Sequence, residues 1–127
     1  MKRDMDLVRK ILFIVEKHPH GFYLQQVNVE EYSPEQIGYH IFLMGEAGLV
    51  SAIDTSSMDS ESPEAILKNL SWAGYDFLDA CRDEGRWNQA KDIFSKMGGV
   101  TFDVAKEVLV RLMMTGVSQI LPNPPIQ

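Results

Sequence analysis

The stretch from Ser33 to Ile53, SPEQIGYHIFLMGEAGLVSAI, decides the fold. A serine cap, a proline at the first helical position and a glutamine three residues after the cap form the reciprocal hydrogen-bonded start of a helix. Ser33, Pro34 and Gln36 supply all three, so a helix is predicted from Pro34 to about Ala47. Gly48 stands where a left-handed C-cap is expected, with the apolar Leu49 behind it. Leu49 to Ile53 then reads as a strand, residues 54–64 (DTSSMDSESPE) as an acidic loop, and Ala65 to Leu70 as the returning strand. A helix followed at once by a two-stranded hairpin is the order of a winged helix. Helix 34–47 takes the place of the recognition helix, and the hairpin is the wing.

Upstream, residues 5–17 carry Leu7, Ile11, Ile14 and Val15 at helical spacing, capped by Asp4 or Asp6 and stopped at His18-Pro19. Residues 23–29 alternate loosely, with Tyr23, Gln25, Val27 and Val29 on one side, and read as a short strand. Downstream, Ser71 caps a helix from Trp72 to about Arg82 whose buried side is read as Trp72, Tyr75, Leu78 and Cys81. Residues 86–97 form a further helix with Trp87, Ile93, Phe94 and Met97 as its apolar set. Gly98-Gly99 breaks the chain, and Thr101 caps a last helix with the stripe Phe102, Ala105, Val108, Leu109, Leu112 and Met113. The prolines at 122, 124 and 125 leave 122–127 as a loose tail. The fold class is mainly α with a small antiparallel β-hairpin (α+β): a winged helix with extra C-terminal helices. At 127 residues the chain makes one domain, with a winged-helix core over 1–84 and C-terminal helices over 85–121.

Composition places this domain in water. Apolar residues make up 45% and charged residues 24%, ordinary for a globular protein. No run approaches the ~18 apolar residues of a membrane span, and the mixed charges of MKRDMD do not open a signal peptide. A single cysteine, Cys81, suits a reducing compartment, so the expected location is cytoplasmic, with no membrane partner.

The 12 basic and 18 acidic residues give a net charge of -6, against the basic face that phosphate binding needs. Placement sharpens the point. Residues 35–47 hold no Arg or Lys, and only Gln36 and His40 could reach a base edge. The wing loop offers Asp54, Asp59, Glu61 and Glu64 and no base, where a DNA-contacting wing carries Lys or Arg. The basic residues that cluster are Lys2, Arg3, Arg9 and Lys10, diluted by Asp4 and Asp6. Helix 34–47 is also too apolar for one core stripe. Either it packs on both sides within the fold, or part of it, with Gly38 and Gly45 permitting close approach, meets another chain.

Catalytic chemistry is not legible. His18 and His20 lack a third ligand at a metal-site spacing, Cys81 reads as a core thiol, and Asp79 and Asp83 as a solvated helix face. No phosphate loop, nucleophile elbow or metalloprotease motif is present. The expectation is a protein that is not an enzyme, with no catalytic residue, no cofactor and no metal.

Four separated blocks add a resemblance. MKRDMDLVRKIL, the run from Tyr39-His40-Ile41 to Glu46-Ala47-Gly48-Leu49, the run LSWAGYDFLD at 70–79, and Arg82-Asp83 with Trp87-Asn88 and Gly98-Gly99 resemble a family of small bacterial and prophage proteins, a domain of unknown function. The resemblance implies a winged-helix fold and assigns no activity. More distantly, His40-Ile41 through Gly48-Leu49-Val50 is similar to the recognition-helix end of metal-sensing winged-helix repressors. The chain departs from those in having a strand-like 23–29 where the preceding helix of a helix-turn-helix belongs.

The favoured reading is a protein-interaction module, a bacterial or prophage accessory protein. It binds a protein or its own copy through Gln36, His40, Asp54, Asp59, Glu61 and Glu64 and through Leu109, Leu112 and Met113. Residues 101–120 are the expected homodimer segment, since helices after the wing often make the dimer in winged-helix repressors. The alternative is a DNA-binding transcriptional regulator of winged helix-turn-helix type, using Lys2, Arg3, Arg9 and Lys10.

Overall fold

Asp4 starts the first helix, α1 (Met5–Glu16), by accepting from the backbone N–H groups of Asp6 and Leu7. In the computed structural model, which describes residues 1–22 and 26–121, α1 buries Leu7, Val8, Ile11, Leu12 and Val15 and leaves Ile14 half-buried at the edge of that stripe. The strand expected over 23–29 is not formed where it can be followed. Residues 23–25 lie outside the described residues, and 26–29 have no ladder partner among the described residues, with Val27 buried and Val29 half-buried. Alternation alone does not make a strand without a neighbour to pair with. Here the chain turns over Glu30–Tyr32, where Glu31 takes the left-handed φ of 74°.

Helix α2 (Pro34–Glu46) begins on both halves of its capping box. Gln36 N–H donates to Ser33 Oγ at 3.1 Å, and Ser33 N–H donates to Gln36 Oε1 at 2.9 Å. It ends on a left-handed glycine, Gly48, at φ 79°. Gly48 N–H donates to Gly45 O and Leu49 N–H to Met44 O, the paired bonds of a Schellman turn, with Met44 and Leu49 both buried. The chain therefore reverses directly into β1 (Val50–Asp54), which pairs antiparallel with β2 (Ala65–Leu70). Val50 faces Leu70 and Ser51 faces Asn69. Ala52 then faces Leu67, so Lys68 is the extra residue of a bulge.

The apolar surplus of α2 serves the fold. Ile37, Ile41 and Met44 are buried, and Tyr39, Phe42 and Leu43 are half-buried. Its glycines meet the chain's own hairpin: a Cβ on Gly38 would lie 3.3 Å from Glu64 Cβ, and one on Gly45 3.5 Å from Ala52 Cβ.

Ser71 starts α3 (Trp72–Cys81) on the turn that ended α2. Its N–H donates to Leu49 O at 3.0 Å, its hydroxyl donates to Gly48 O, and it accepts from Gly74 N–H at 3.0 Å. This docking rotates the helix away from the expected phase. The inward face is Gly74, Phe77, Leu78 and Cys81, whereas Trp72 is 85% exposed and Tyr75 39% exposed. Gly74 is where the backbone of α3 touches the carbonyl of Leu49, and residues 72 and 75 fall outside the arc that this contact turns inward.

The chain divides into two compact units, Met1–Leu78 and Asp79–Gln127. In the second, Asp83 caps α4 (Glu84–Met97), and the Arg86 guanidinium donates to the carbonyls of Asp79 and Ala80 at the end of α3. Trp87, Ala90 and Phe94 are the buried side of α4, with the Trp87 and Phe94 rings edge to face at 6.1 Å. Ile93 is half-buried. Met97, expected among this apolar set, is half exposed, because left-handed Gly98 ends the helix beside it. Thr101 caps α5 (Phe102–Ile120), which packs on α4. Of its expected stripe, Ala105 and Leu109 are buried, and Phe102, Val108, Leu112 and Met113 are half-buried. The tail assigned to 122–127 lies outside the described residues. Among the described residues no helix is long and apolar enough to cross a membrane.

Gly74→Ala tests the docking of α3. Helix propensity alone favours alanine by about 1 kcal/mol, but the added methyl collides with the Leu49 carbonyl. Overpacking of this kind costs about 1–3 kcal/mol. A net loss of stability in urea melts is the expected result, and a gain would show that α3 does not seat there.

Candidate functional site

Among the described residues of the first unit the most buried polar side chain is His40, 1% exposed. Its Nε2 lies 2.8 Å from the backbone N of Asp4 and its Nδ1 2.7 Å from the carbonyl of Gln36. A backbone N–H only donates, so Nε2 is the acceptor and Nδ1 carries the proton toward Gln36 O. The ring is thus a neutral tautomer joining the start of α1 to α2. Asp4 extends the network: one carboxylate oxygen caps α1, and the other accepts the Tyr32 hydroxyl at 2.9 Å. The Tyr32 phenol is pushed up to about 12, by burial first, then by its bond to Asp4 and the negative charges of Asp4, Asp6 and Glu31.

Two residues nominated for partner or base contact are therefore occupied by the fold. His40 is inside, and the Gln36 side chain closes the capping box. What α2 turns outward at this end is Pro34 and Glu35.

A cleft of about 450 Å³ opens between α2 and the hairpin. Val27, Ile37, Ile41 and Leu67 contribute apolar wall, while Glu35, Glu61 and Glu64 bring carboxylates, and among the described residues no Lys, Arg or His lines it. Asp54 and Asp59 sit nearby in sequence but outside the lining, both exposed. The loop that carries these acids is closed by its own hydrogen bonds. Ser56 Oγ donates to Glu64 O and accepts from Glu64 N–H, Ser57 N–H donates to Ser60 Oγ, and Ser60 Oγ donates to the Glu64 carboxylate. Hydrogen bonds from Ser56 hold the Asp54 carboxyl below the usual carboxylate range.

The first unit carries the whole net charge. Residues 1–78 hold six basic and twelve acidic side chains, and 79–127 hold six of each. Of the basic candidates, Lys2 and Arg3 are exposed, Arg9 lies 4.8 Å from the Phe13 ring centre, and Lys10 lies 5.5 Å from that of Tyr32.

On α5, Leu109 is fully buried and is not available to a partner, and Leu112 and Met113 are half-buried. The apolar side chains that α5 exposes are Val110, Met114, Val117 and Ile120. These, the exposed Trp72 and the cleft-lining Glu35 were missed by sequence reading. Glu35 stands within the capping motif itself, and the spacing 110, 114, 117 is a second helical stripe beside the first. His18 and His20 have ring centres 5.8 Å apart, but among the described residues no three His, Cys, Asp or Glu side chains converge as a metal would need. Asp79 pairs with Arg82 at 2.8 Å and Asp83 caps α4, so both carboxylates have structural roles.

Comparison with known sequences places this arrangement. The family described as "Hypothetical protein (DUF2513)" matches residues 2–101. The chain belongs to the DUF2513 family. An uncharacterized protein of Haemophilus influenzae is 35% identical to it over 117 residues, covering 85% of this chain and 92% of that one. No solved structure matches. The family match thus takes in the His40 network, the cleft and α4, and stops just before α5.

Two outcomes follow for the network of this DUF2513 chain. His40→Leu keeps volume but leaves the Asp4 N–H without its acceptor, and a loss of about 1–3 kcal/mol is expected in denaturant melts. A phenol whose pKa is higher folded than unfolded contributes stability below the unfolded value of 10.0, and that contribution is lost as pH rises toward about 12. Absorbance titration at alkaline pH should show one late-ionising tyrosine that Tyr32→Phe removes. An unchanged titration in the variant would refute the assignment.

Proposed function

We propose that this DUF2513 chain is a non-enzymatic protein-interaction module. The first unit is a winged-helix arrangement in which α2 takes the recognition position and the β1–β2 hairpin is the wing. It acts in the cytoplasm of a bacterium, as an accessory protein of the cell or of a prophage, and the bacterial relative fits that setting. The observation that carries the reading is the chemistry of the cleft between α2 and the wing, which among the described residues presents three glutamates and no base. Phosphates are repelled from such a surface, and the counterion release that drives DNA binding has no cations to work through. The alternative base-reading pair is also spent, with His40 in the core and Gln36 in the capping box. Trp72, 85% exposed, adds an aromatic side chain of the kind enriched at binding hot spots.

The second part of the proposal is self-association through α5. Its exposed Val110, Met114 and Val117 recur at helical spacing, and residues 112–127 contain no charged side chain to oppose the meeting of two copies.

Two measurements test the reading. Anisotropy titration with random duplex DNA at about 50 mM salt is expected to give no binding; salt-sensitive binding that Arg9→Ala abolishes would instead support a DNA-binding regulator. Light scattering is expected to show a concentration-dependent dimer that Val117→Asp converts to monomer. A monomer at high micromolar concentration would remove the self-association.

A further inference from the structure

We propose that the cleft between α2 and the hairpin seats an extended segment of a partner protein in which lysine or arginine alternates with apolar residues. This rests on the reading of the first unit as a protein-binding surface and assigns that surface its ligand chemistry.

The walls select the occupant. At about 450 Å³ the cleft lies within the ~300–1,000 Å³ range of small-ligand sites, enough for a few side chains rather than a folded domain. Its floor is the outer edge of the core, from Ile37, Ile41 and Leu67, and Ile66 beside them is 42% exposed. Its rim is acidic. Glu35, Glu61 and Glu64 form no ion pair among the described residues, and the unit around them carries a net charge of six negative. Lysine and arginine match both features at once, because their alkyl stems lie on apolar surface while their charged heads reach water or a carboxylate. An anionic ligand meets only like charge here, and a wholly apolar one leaves the carboxylates partly dehydrated without a counter-charge.

The rim is also held before any partner arrives. Glu35 is in the first turn of a helix locked by the Ser33–Gln36 capping box, and Glu64 is gripped through its backbone by Ser56 and through its carboxylate by Ser60. Gly38 keeps α2 close to Glu64, where a side chain would press on the Glu64 Cβ. Surfaces ordered in advance lose less entropy on binding.

The test uses the full chain and three labelled peptides of equal length: alternating lysine–leucine, lysine–glycine and glutamate–leucine. By anisotropy at low salt the lysine–leucine peptide is expected to bind, the lysine–glycine peptide roughly tenfold more weakly, and the glutamate–leucine peptide not at all. Glu35→Gln combined with Glu64→Gln should weaken lysine–leucine binding roughly tenfold, whereas Asp59→Asn, outside the cleft, should change it less than about twofold. Amide chemical shifts should move most at Gly38, Ile41 and Leu67. Equal binding of both cationic peptides, or an Asp59→Asn loss as large as that of the double variant, would overturn the cleft and leave a diffuse acidic interaction surface standing. No binding of either cationic peptide would overturn the cleft and, with it, the acidic-surface basis of the proposed function.

Discussion

The left-handed turn at Gly48 and Leu49 is the constraint on which the first unit depends. Leu49 donates its N–H to the last turn of α2, and its carbonyl receives the N–H of Ser71 at the start of α3. One residue thus closes one helix, begins the approach to β1 and receives another helix. A side chain at position 48 would be strained at φ 79°, and one at 74 would displace the Leu49 carbonyl from its place. Two glycines far apart in sequence serve a single junction.

The His40 network answers a different demand. The start of α1 carries backbone donors that no preceding turn satisfies. Asp4 takes two of them with its carboxylate, while its own N–H is taken by the His40 ring, which projects from the middle of α2. Buried polar groups are tolerated when every partner is present, and here imidazole, carboxylate, phenol and helix carbonyl form a continuous chain. The same residues that could have served as a recognition surface are consumed in assembling the fold. This redirects attention to the carboxylates left outside.

Those carboxylates are unevenly distributed. The second unit balances its charges and pairs several of them along its helices, as in Arg82–Asp79, Lys96–Asp92 and Arg111–Glu107. Exposed pairs of this kind contribute only about 0.3–0.5 kcal/mol each, so α4 and α5 rely on Trp87, Phe94 and Leu109 for their stability. The first unit keeps its excess of acid on the hairpin loop and the start of α2, around an apolar floor. Affinity for a basic partner and repulsion of phosphate are two consequences of that one placement.

Separated blocks along the chain carried the resemblance to a domain-of-unknown-function family, and Asp83 read as a solvated helix face, whereas it caps α4. The helices, the hairpin and the caps at Asp4, Ser33, Ser71 and Thr101 were legible in the sequence, because each depends on residues within a few positions of one another. The acids of the loop were legible for the same reason. The phase of α3 was not: its apolar spacing permits two faces, and the contact of Gly74 with Leu49, 25 positions away, selects the one that leaves Trp72 outside. Nor was the second partner of His40, the backbone N–H of Asp4, since it lies 36 positions away and nothing beside His40 in the sequence points to it. The cleft was invisible for a stronger reason. Val27, Glu35, Glu61 and Leu67 come from separate segments, and only the close approach of α2 to the hairpin puts acidic rim and apolar floor together. Sequence alone determined the local elements and the sign of the surface, through short-range hydrogen bonding and charge. Tertiary packing decided which polar groups were spent inside and which remained to meet a partner, because burial is set by neighbours distant along the chain.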